Sequence, residues 1–142
     1  MAAINKRRFW LGVLAGGAVW VVFSLLLGKV GGVEARYATA TAAGHFLKEP
    51  RYPLFMVEWI ILQFLLTYVL AWFYVSLRGT LGPGPWTALR VGTLAGFAMG
   101  FPLNFAQAAW APYSRVLPLF WMIELWAGAI LATFVAGWVY KD

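Results

Sequence analysis

The sequence of 142 residues contains no cysteine, a single histidine and only five acidic residues. Without cysteine the chain has neither disulfides nor thiolate ligands, and one histidine cannot supply a pair of imidazole ligands. We therefore expect no metal site and no cofactor within this chain. We also expect no catalytic residues, because the set of nucleophile, base and metal ligands that an enzyme would need is nearly absent and His45 stands alone in a loop.

Charged residues are scarce, at 11% of the chain, whereas hydrophobic residues make up 63% and aromatic residues 18%. A soluble domain needs about a quarter of its residues charged to cover its surface. The composition and the mean hydropathy of +0.75 therefore predict a lipid bilayer as the surroundings. The net charge of +6 is spread over both ends of the apolar stretches, which favours contact with anionic headgroups and not with nucleic acid.

Four apolar stretches are long enough to cross a hydrocarbon core, which needs about 20 helical residues at a rise of about 1.5 Å. They cover residues 9–28, 53–77, 91–111 and 117–140. Backbone groups in lipid must form hydrogen bonds within the chain, and no stretch alternates as a barrel strand would, so helices are expected. The predicted fold class is an all-α membrane protein, a single transmembrane domain over residues 1–142 built as a four-helix bundle.

The sidedness follows from a tight basic cluster, Lys6, Arg7 and Arg8, beside the first apolar stretch. Charges that flank the first span usually set the orientation of the whole protein. The remaining basic residues are divided almost evenly between the two sides. We therefore predict a prokaryotic plasma membrane protein with both termini in the cytoplasm.

The second half of the chain repeats features of the first. Residues 11–18 align with residues 91–98 with five identities in eight positions. After Glu58 and after Glu124, a Thr, a Val, a Trp and a Tyr recur at the same four distances. The pattern predicts two tandem helical hairpins, about 9–77 and 89–140, related by a pseudo-twofold axis along the membrane normal. The alternative is that Trp and Tyr recur because both halves cross the same interfaces.

The outer loop, residues 29–51, is longer than the other connections and mixes Val33, Tyr37, Phe46 and Leu47 with polar residues. This mixture is typical of a short helix that lies on the membrane interface. An ordered crossover without a function of its own is the alternative.

Glycines at a spacing of four mark the first and third predicted helices. They are Gly12, Gly16, Gly92, Gly96 and Gly100. Small residues at this spacing let helices approach closely in lipid, so we expect the first and third helices to cross at these positions. Within the third helix, Pro102 predicts a kink because proline removes a backbone hydrogen bond.

Six polar residues fall within the outer half of the predicted spans. They are Glu58, Glu124, Asn104, Ser24, Gln107 and Gln63. Polar groups in lipid turn towards one another because an unpartnered one is costly. We therefore predict a polar cluster between the four helices, with the two glutamates at equal depth. The alternative is that Arg51 or Arg115 reaches inward to pair with one of them.

Short loops, many aromatic residues and few reactive groups favour a non-catalytic structural or assembly subunit of a larger membrane complex. Its partners would be the lipid bilayer and other membrane subunits or further copies of itself. The alternative is a small proton- or cation-coupled transporter or channel that uses the embedded glutamate pair. Because four helices enclose little space, such a transporter would be a homo-oligomer. A lipid- or quinone-directed enzyme is the third class and has the least support.

Overall fold

The computed structural model describes residues 4–140, and this part of the chain contains five helices and no strand. The helices are α1 (Lys6–Gly28), α2 (Val33–Ala42), α3 (Phe55–Leu81), α4 (Pro85–Trp110) and α5 (Val116–Val139). The all-α prediction is confirmed. The long helices agree with the four apolar stretches, and α2 confirms a short helix within the outer loop.

Three helices, α1, α3 and α5, are long and apolar enough to cross a membrane. Helix α4 is long enough, at 26 residues, but it does not reach the same hydropathy. Its sequence is diluted by glycines, by Pro102 and by the amides Asn104 and Gln107. Of the four predicted membrane-spanning helices, three are apolar enough to cross a membrane. Helix α4 continues through Pro102 to Trp110, and the predicted kink stays a prediction.

The start of α1 and the end of α5 lie at the same end of the bundle, where two tyrosines are buried. The backbone N–H of Asn5 donates to the Tyr140 hydroxyl at 3.0 Å. The backbone N–H of Gly84, which precedes α4, donates to the Tyr74 hydroxyl at 3.3 Å. The two tyrosine rings meet edge to face, with their centres 6.5 Å apart. We call this the tyrosine end, and the four long helices run alternately away from it and back.

Helix α2 covers the opposite end of the bundle, which we call the α2 end. Val33 and Ala40 of α2 are buried against Leu117 at the start of α5. The chain turns into α2 through Gly31 and Gly32, whose φ angles of 73° and 67° are readily adopted only by glycine. The apolar face of α2 thus packs against the bundle.

Helix α5 is the central helix and packs against each of the other four. On one side it meets the glycines of α1. A Cβ atom added to Gly12 would lie 2.9 Å from the carbonyl oxygen of Ala136, and one added to Gly16 would lie 2.5 Å from that of Ala132. Real Cβ atoms do not approach a backbone this closely, so α1 and α5 touch only because these positions are glycine.

On its other side α5 meets the glycines of α4. Cβ atoms added to Gly92, Gly96 and Gly100 would lie 2.7 Å from the Cα of Ile130, 2.8 Å from the Cβ of Ala129 and 2.9 Å from the Met122 carbonyl oxygen, respectively. The predicted crossing of α1 with α4 is therefore corrected, because both sets of glycines pack against α5. The physical reason is that α5 itself presents small residues on two faces, including Gly128, Ala129, Ala132 and Ala136.

Candidate functional site

The most buried acid among the described residues, Glu124 on α5, lies where three helices meet. Its side chain is only 4% exposed. Its Oε1 accepts a hydrogen bond from the Trp20 indole N–H at 3.1 Å and from the Gln63 amide at 3.3 Å. The Ser24 hydroxyl donates to the same oxygen. We call these four residues, Trp20, Ser24, Gln63 and Glu124, the polar cluster.

The local sequence of α1 and α5 places the donors on Glu124. Trp20 and Ser24 are four residues apart on α1 and so share one face of the helix. The Trp20 side chain is completely buried, and it fits because Gly128 of α5 leaves room. A Cβ atom added to Gly128 would collide with the indole ring.

Gln63 of α3 completes the polar cluster and leaves one atom without a partner. Its amide nitrogen donates to the Ser24 oxygen at 2.9 Å as well as to Glu124. The residue is 2% exposed. Its Oε1 is buried and has no hydrogen-bond partner among the described residues. Buried polar atoms are nearly always paired in native proteins, so this oxygen is exceptional.

A cavity of about 650 Å³ adjoins the polar cluster on the side of the α2 end. Glu124, Ser24 and Gln63 line it, together with Asn104 of α4. The remaining wall is mostly apolar and aromatic, contributed by residues such as Phe55, Met56, Trp59, Ile60, Leu103 and Phe120. The cavity therefore combines polar atoms at its inner end with an apolar wall, which is the usual composition of a small-molecule site.

The charged groups at the outer rim of the cavity are paired with each other. Lys29 and Glu34 line the cavity and form an exposed ion pair at 2.6 Å. Their hydrogen bond and the charge of Glu34 raise the pKa of Lys29. Lys29 and Glu34 form the one ion pair that joins two described residues, so Glu124 has no basic partner among them.

Tyr37 of α2 lines the cavity as a neutral group. The Trp121 indole N–H donates to its hydroxyl, and both residues line the cavity. Burial raises the pKa of the Tyr37 hydroxyl, so it carries no charge near neutral pH. Glu124 is then the single ionisable group that lines the inner end of the cavity.

Glu58 lies outside the polar cluster, which corrects the predicted pairing with Glu124. Its side chain is exposed and makes no hydrogen bond or ion pair with the described residues. Helix α3 begins at Phe55, so Glu58 lies in the first turn, where a carboxylate is favoured by the helix dipole. It precedes Gln63 by five residues, which rotates it by about 140° around the helix and away from the polar cluster.

The two amides of α4 have partners near their own positions. Asn104 is 6% exposed and donates to the Gly100 carbonyl oxygen of its own helix at 2.7 Å, so it borders the cavity without joining the polar cluster. Gln107 accepts a hydrogen bond from the Tyr113 hydroxyl at 3.0 Å. Of the six predicted members, the structure brings together Glu124, Ser24 and Gln63.

Sequence reasoning missed Trp20 and Gly128. The signal for Trp20 was its position in the middle of an apolar stretch, far from the interface where tryptophan usually lies. An indole N–H at such a depth needs an acceptor, and Glu124 was available. Gly128 carried no local signal, because its role depends on which side chain faces it.

The described residues contain no group of three or more His, Asp or Glu side chains that could hold a metal ion. The arrangement can instead accept hydrogen bonds and hold an apolar group. Comparison with protein-family models, with curated proteins and with solved structures finds no match for this chain.

Proposed function

We propose that this protein is a non-catalytic integral membrane protein that binds a small amphipathic molecule in the cavity beside Glu124. The observation that carries the proposal is the position of a buried carboxyl group at the inner end of a mostly apolar cavity of about 650 Å³. Leu25, Met56 and Leu103 of its wall are more than half exposed, so the cavity is open on one side and a molecule can enter it. The polar end would orient the molecule and the apolar wall would hold its hydrocarbon part.

In this proposal all four long helices cross the bilayer, although α4 is less apolar than the others. Support comes from the contacts of Gly92 and Gly100 with α5, which run along two turns of both helices. Two helices packed side by side over that length share the same depth. The tyrosine end lies next to the Lys6–Arg8 cluster, and we place it on the cytoplasmic side of a prokaryotic plasma membrane.

Two tandem hairpins related by a pseudo-twofold axis also belong to this proposal. They are supported at the tyrosine end, where Tyr74 and Tyr140 accept hydrogen bonds from the chain just before α4 and just before α1. Thr67 and Thr133, at matching positions, are both completely buried and both donate to a carbonyl oxygen of their own helix.

The subunit function predicted from the sequence remains a second proposal. It is supported by exposed aromatic side chains on neighbouring helices, such as Trp10 of α1 and Tyr68 of α3, whose rings lie 5.5 Å apart. Copurification with other chains in a fixed stoichiometry would support it. The transporter alternative now depends on Glu124 alone within one chain, because Glu58 is exposed.

The binding function can be tested by filling the cavity. Ile60 of α3 lines the cavity, and Ile60→Trp adds bulk there without touching Glu124. Native mass spectrometry of the protein released from detergent micelles measures the mass of any small molecule that stays bound. We expect an amphipathic adduct on the wild-type protein and its loss in the variant.

Leu65→Trp is the matched control, because Leu65 lies on the same helix, is 57% exposed and does not line the cavity. It should keep the adduct. A wild-type protein that carries no adduct, or an adduct that survives in Ile60→Trp, would contradict the proposed function.

A further inference from the structure

The polar atoms beside the cavity are short of a hydrogen-bond donor. The indole N–H of Trp20, the hydroxyl of Ser24 and the amide of Gln63 all point at atoms of the polar cluster. The Glu124 carboxyl group and the Gln63 side chain line the space that remains, and the unpaired Oε1 of Gln63 is enclosed beside it. A molecule that satisfied both would have to bring at least two donor hydrogens on one head group.

No basic side chain lies beside Glu124 at the inner end of the cavity. Glu124 has no ion pair with a described residue, and the nearest base at the cavity, Lys29, is paired with Glu34 at the rim. An ionised carboxylate enclosed by protein is strongly destabilised without a partner of opposite charge. A cationic head group would supply that partner.

The cavity wall suits a cation that carries a hydrocarbon chain. Aromatic faces from Trp59, Phe120 and Trp121 line it, and aromatic rings attract ammonium groups. The apolar majority of the wall would accept a hydrocarbon chain. A bare metal ion fits this place poorly, because one carboxylate and neighbouring amides do not provide a metal-binding set.

From these observations we infer that the cavity selects a lipophilic amine: its protonated nitrogen would donate to Glu124 and, once the Gln63 amide turns towards the cavity, to Gln63 Oε1, and its hydrocarbon chain would lie along Trp59 and Ile60. The inference rests on the proposed binding function and adds the chemical class of the ligand to it. Three N–H bonds on an ammonium group satisfy both acceptors and the charge at once, whereas a hydroxyl group supplies one donor and no charge.

The test uses two probes with the same chain length and the same photoreactive group, dodecylammonium and dodecanol, with the full-length protein in lipid nanodiscs. Covalent labelling is mapped by mass spectrometry of peptides from α3 and α5. We expect the amine to label the cavity wall and unlabelled dodecylammonium to compete with it. The alcohol should bind at least tenfold more weakly.

Glu124→Gln removes the charge and keeps the shape of the side chain, and we expect it to lower the affinity for the amine at least tenfold while leaving the alcohol unchanged. Glu58→Gln is the matched control, because it removes an exposed acid outside the cavity, and its affinity for the amine should equal that of the wild type. If Glu124→Gln does not fold, Gln63→Met serves in its place, since it removes the unpaired oxygen at nearly constant volume.

The outcomes separate this inference from the proposed function. Equal labelling by the amine and the alcohol, or an amine affinity that Glu124→Gln and Gln63→Met leave unchanged, would overturn the choice of ligand class and leave the binding site intact. Failure of both probes to label the cavity wall, together with no adduct on the purified protein, would overturn the inference and the proposed function together.

Discussion

Side chains that align between the two halves of the chain are buried alike at one end of the bundle and differently at the other. At the tyrosine end, Tyr74 and Tyr140 are both buried, and each accepts a hydrogen bond from the chain that leads into another helix. At the α2 end, Glu124 is buried under three donors, whereas Glu58, its counterpart in the sequence, is exposed. The burial of aligned residues is therefore the same in both halves at the tyrosine end and different at the α2 end.

The difference is traceable to the donors that each glutamate can meet. Glu124 meets Trp20 and Ser24 of α1. At the corresponding positions of α4 the sequence has Gly100 and Asn104. Gly100 packs against Met122, and Asn104 donates to its own helix, so neither would hold a buried carboxyl group in the first half.

The packing of α3 against α4 also differs between the two ends of the bundle. Near the tyrosine end α3 and α4 share two core clusters, one containing Tyr74 with Ala88 and one containing Leu70 with Val91. Towards the α2 end, Ile60 of α3 and Leu103 of α4 both line the cavity instead. The cavity thus lies beside the half of the chain whose glutamate has no buried donors.

The largest effect is expected from closing the space that admits Trp20. In Gly128→Leu the new side chain would collide with the indole ring, and overpacking of this kind costs about 1–3 kcal/mol or more. We expect a strongly reduced folded yield, measured by size-exclusion chromatography and thermal unfolding in detergent. Gly79→Leu is the control, because nothing lies within 4 Å of a Cβ at Gly79. Equal yields for the two variants would show that the tight contact between α1 and α5 is absent.

A smaller effect is expected from removing one donor of the polar cluster. Trp20→Phe keeps a buried ring and removes the N–H that donates to Glu124. We expect the free energy of unfolding to fall by about 1–2 kcal/mol, because a buried acceptor loses a partner. Trp10→Phe, at a position that is 53% exposed, should be nearly neutral in the same thermal unfolding assay. A neutral Trp20→Phe variant would remove the asymmetry between the two glutamates.

The smallest effects are expected from removing the two buried tyrosine hydroxyls, and the two variants should be affected equally. Tyr74→Phe and Tyr140→Phe each remove a hydroxyl that accepts one partly buried backbone N–H. Each should lower the free energy of unfolding by about 0.5–1.5 kcal/mol, and the two values should agree closely. Thermal unfolding of both single variants and of the double variant measures this. Clearly unequal values would mean that the two halves differ at the tyrosine end as well.

Much of the fold could be predicted from the sequence because long apolar stretches admit few structures. The helix positions followed from length and hydropathy, and α1 and α5 agree with the prediction to within three residues at each end. Helix α4 was predicted to be a membrane span but is not apolar enough, because its hydropathy is lowered by the same glycines that let it pack closely. A stretch selected for close packing is a weaker signal for a membrane span.

The candidate site was less accessible to sequence reasoning, because depth along a helix does not give the direction of a side chain. Glu58 and Gln63 belong to the same stretch and are five residues apart, yet they lie on different faces of α3, and Gln63 alone reaches Glu124. The unpaired oxygen of Gln63 and the cavity could not be read from residue types at all. They exist only through the relative placement of four helices.

The sequence by itself determined the environment of this protein, its helical class and the few polar groups that had to find partners, because lipid tolerates neither open backbone nor isolated charge. The tertiary structure decided which polar groups met. Helix α5 became the centre because small residues on two of its faces let α1 and α4 approach from both sides. This packing buried Glu124 against Trp20 and left Glu58 exposed. Close packing depends on the shapes of the side chains that face each other and not on their order along the chain.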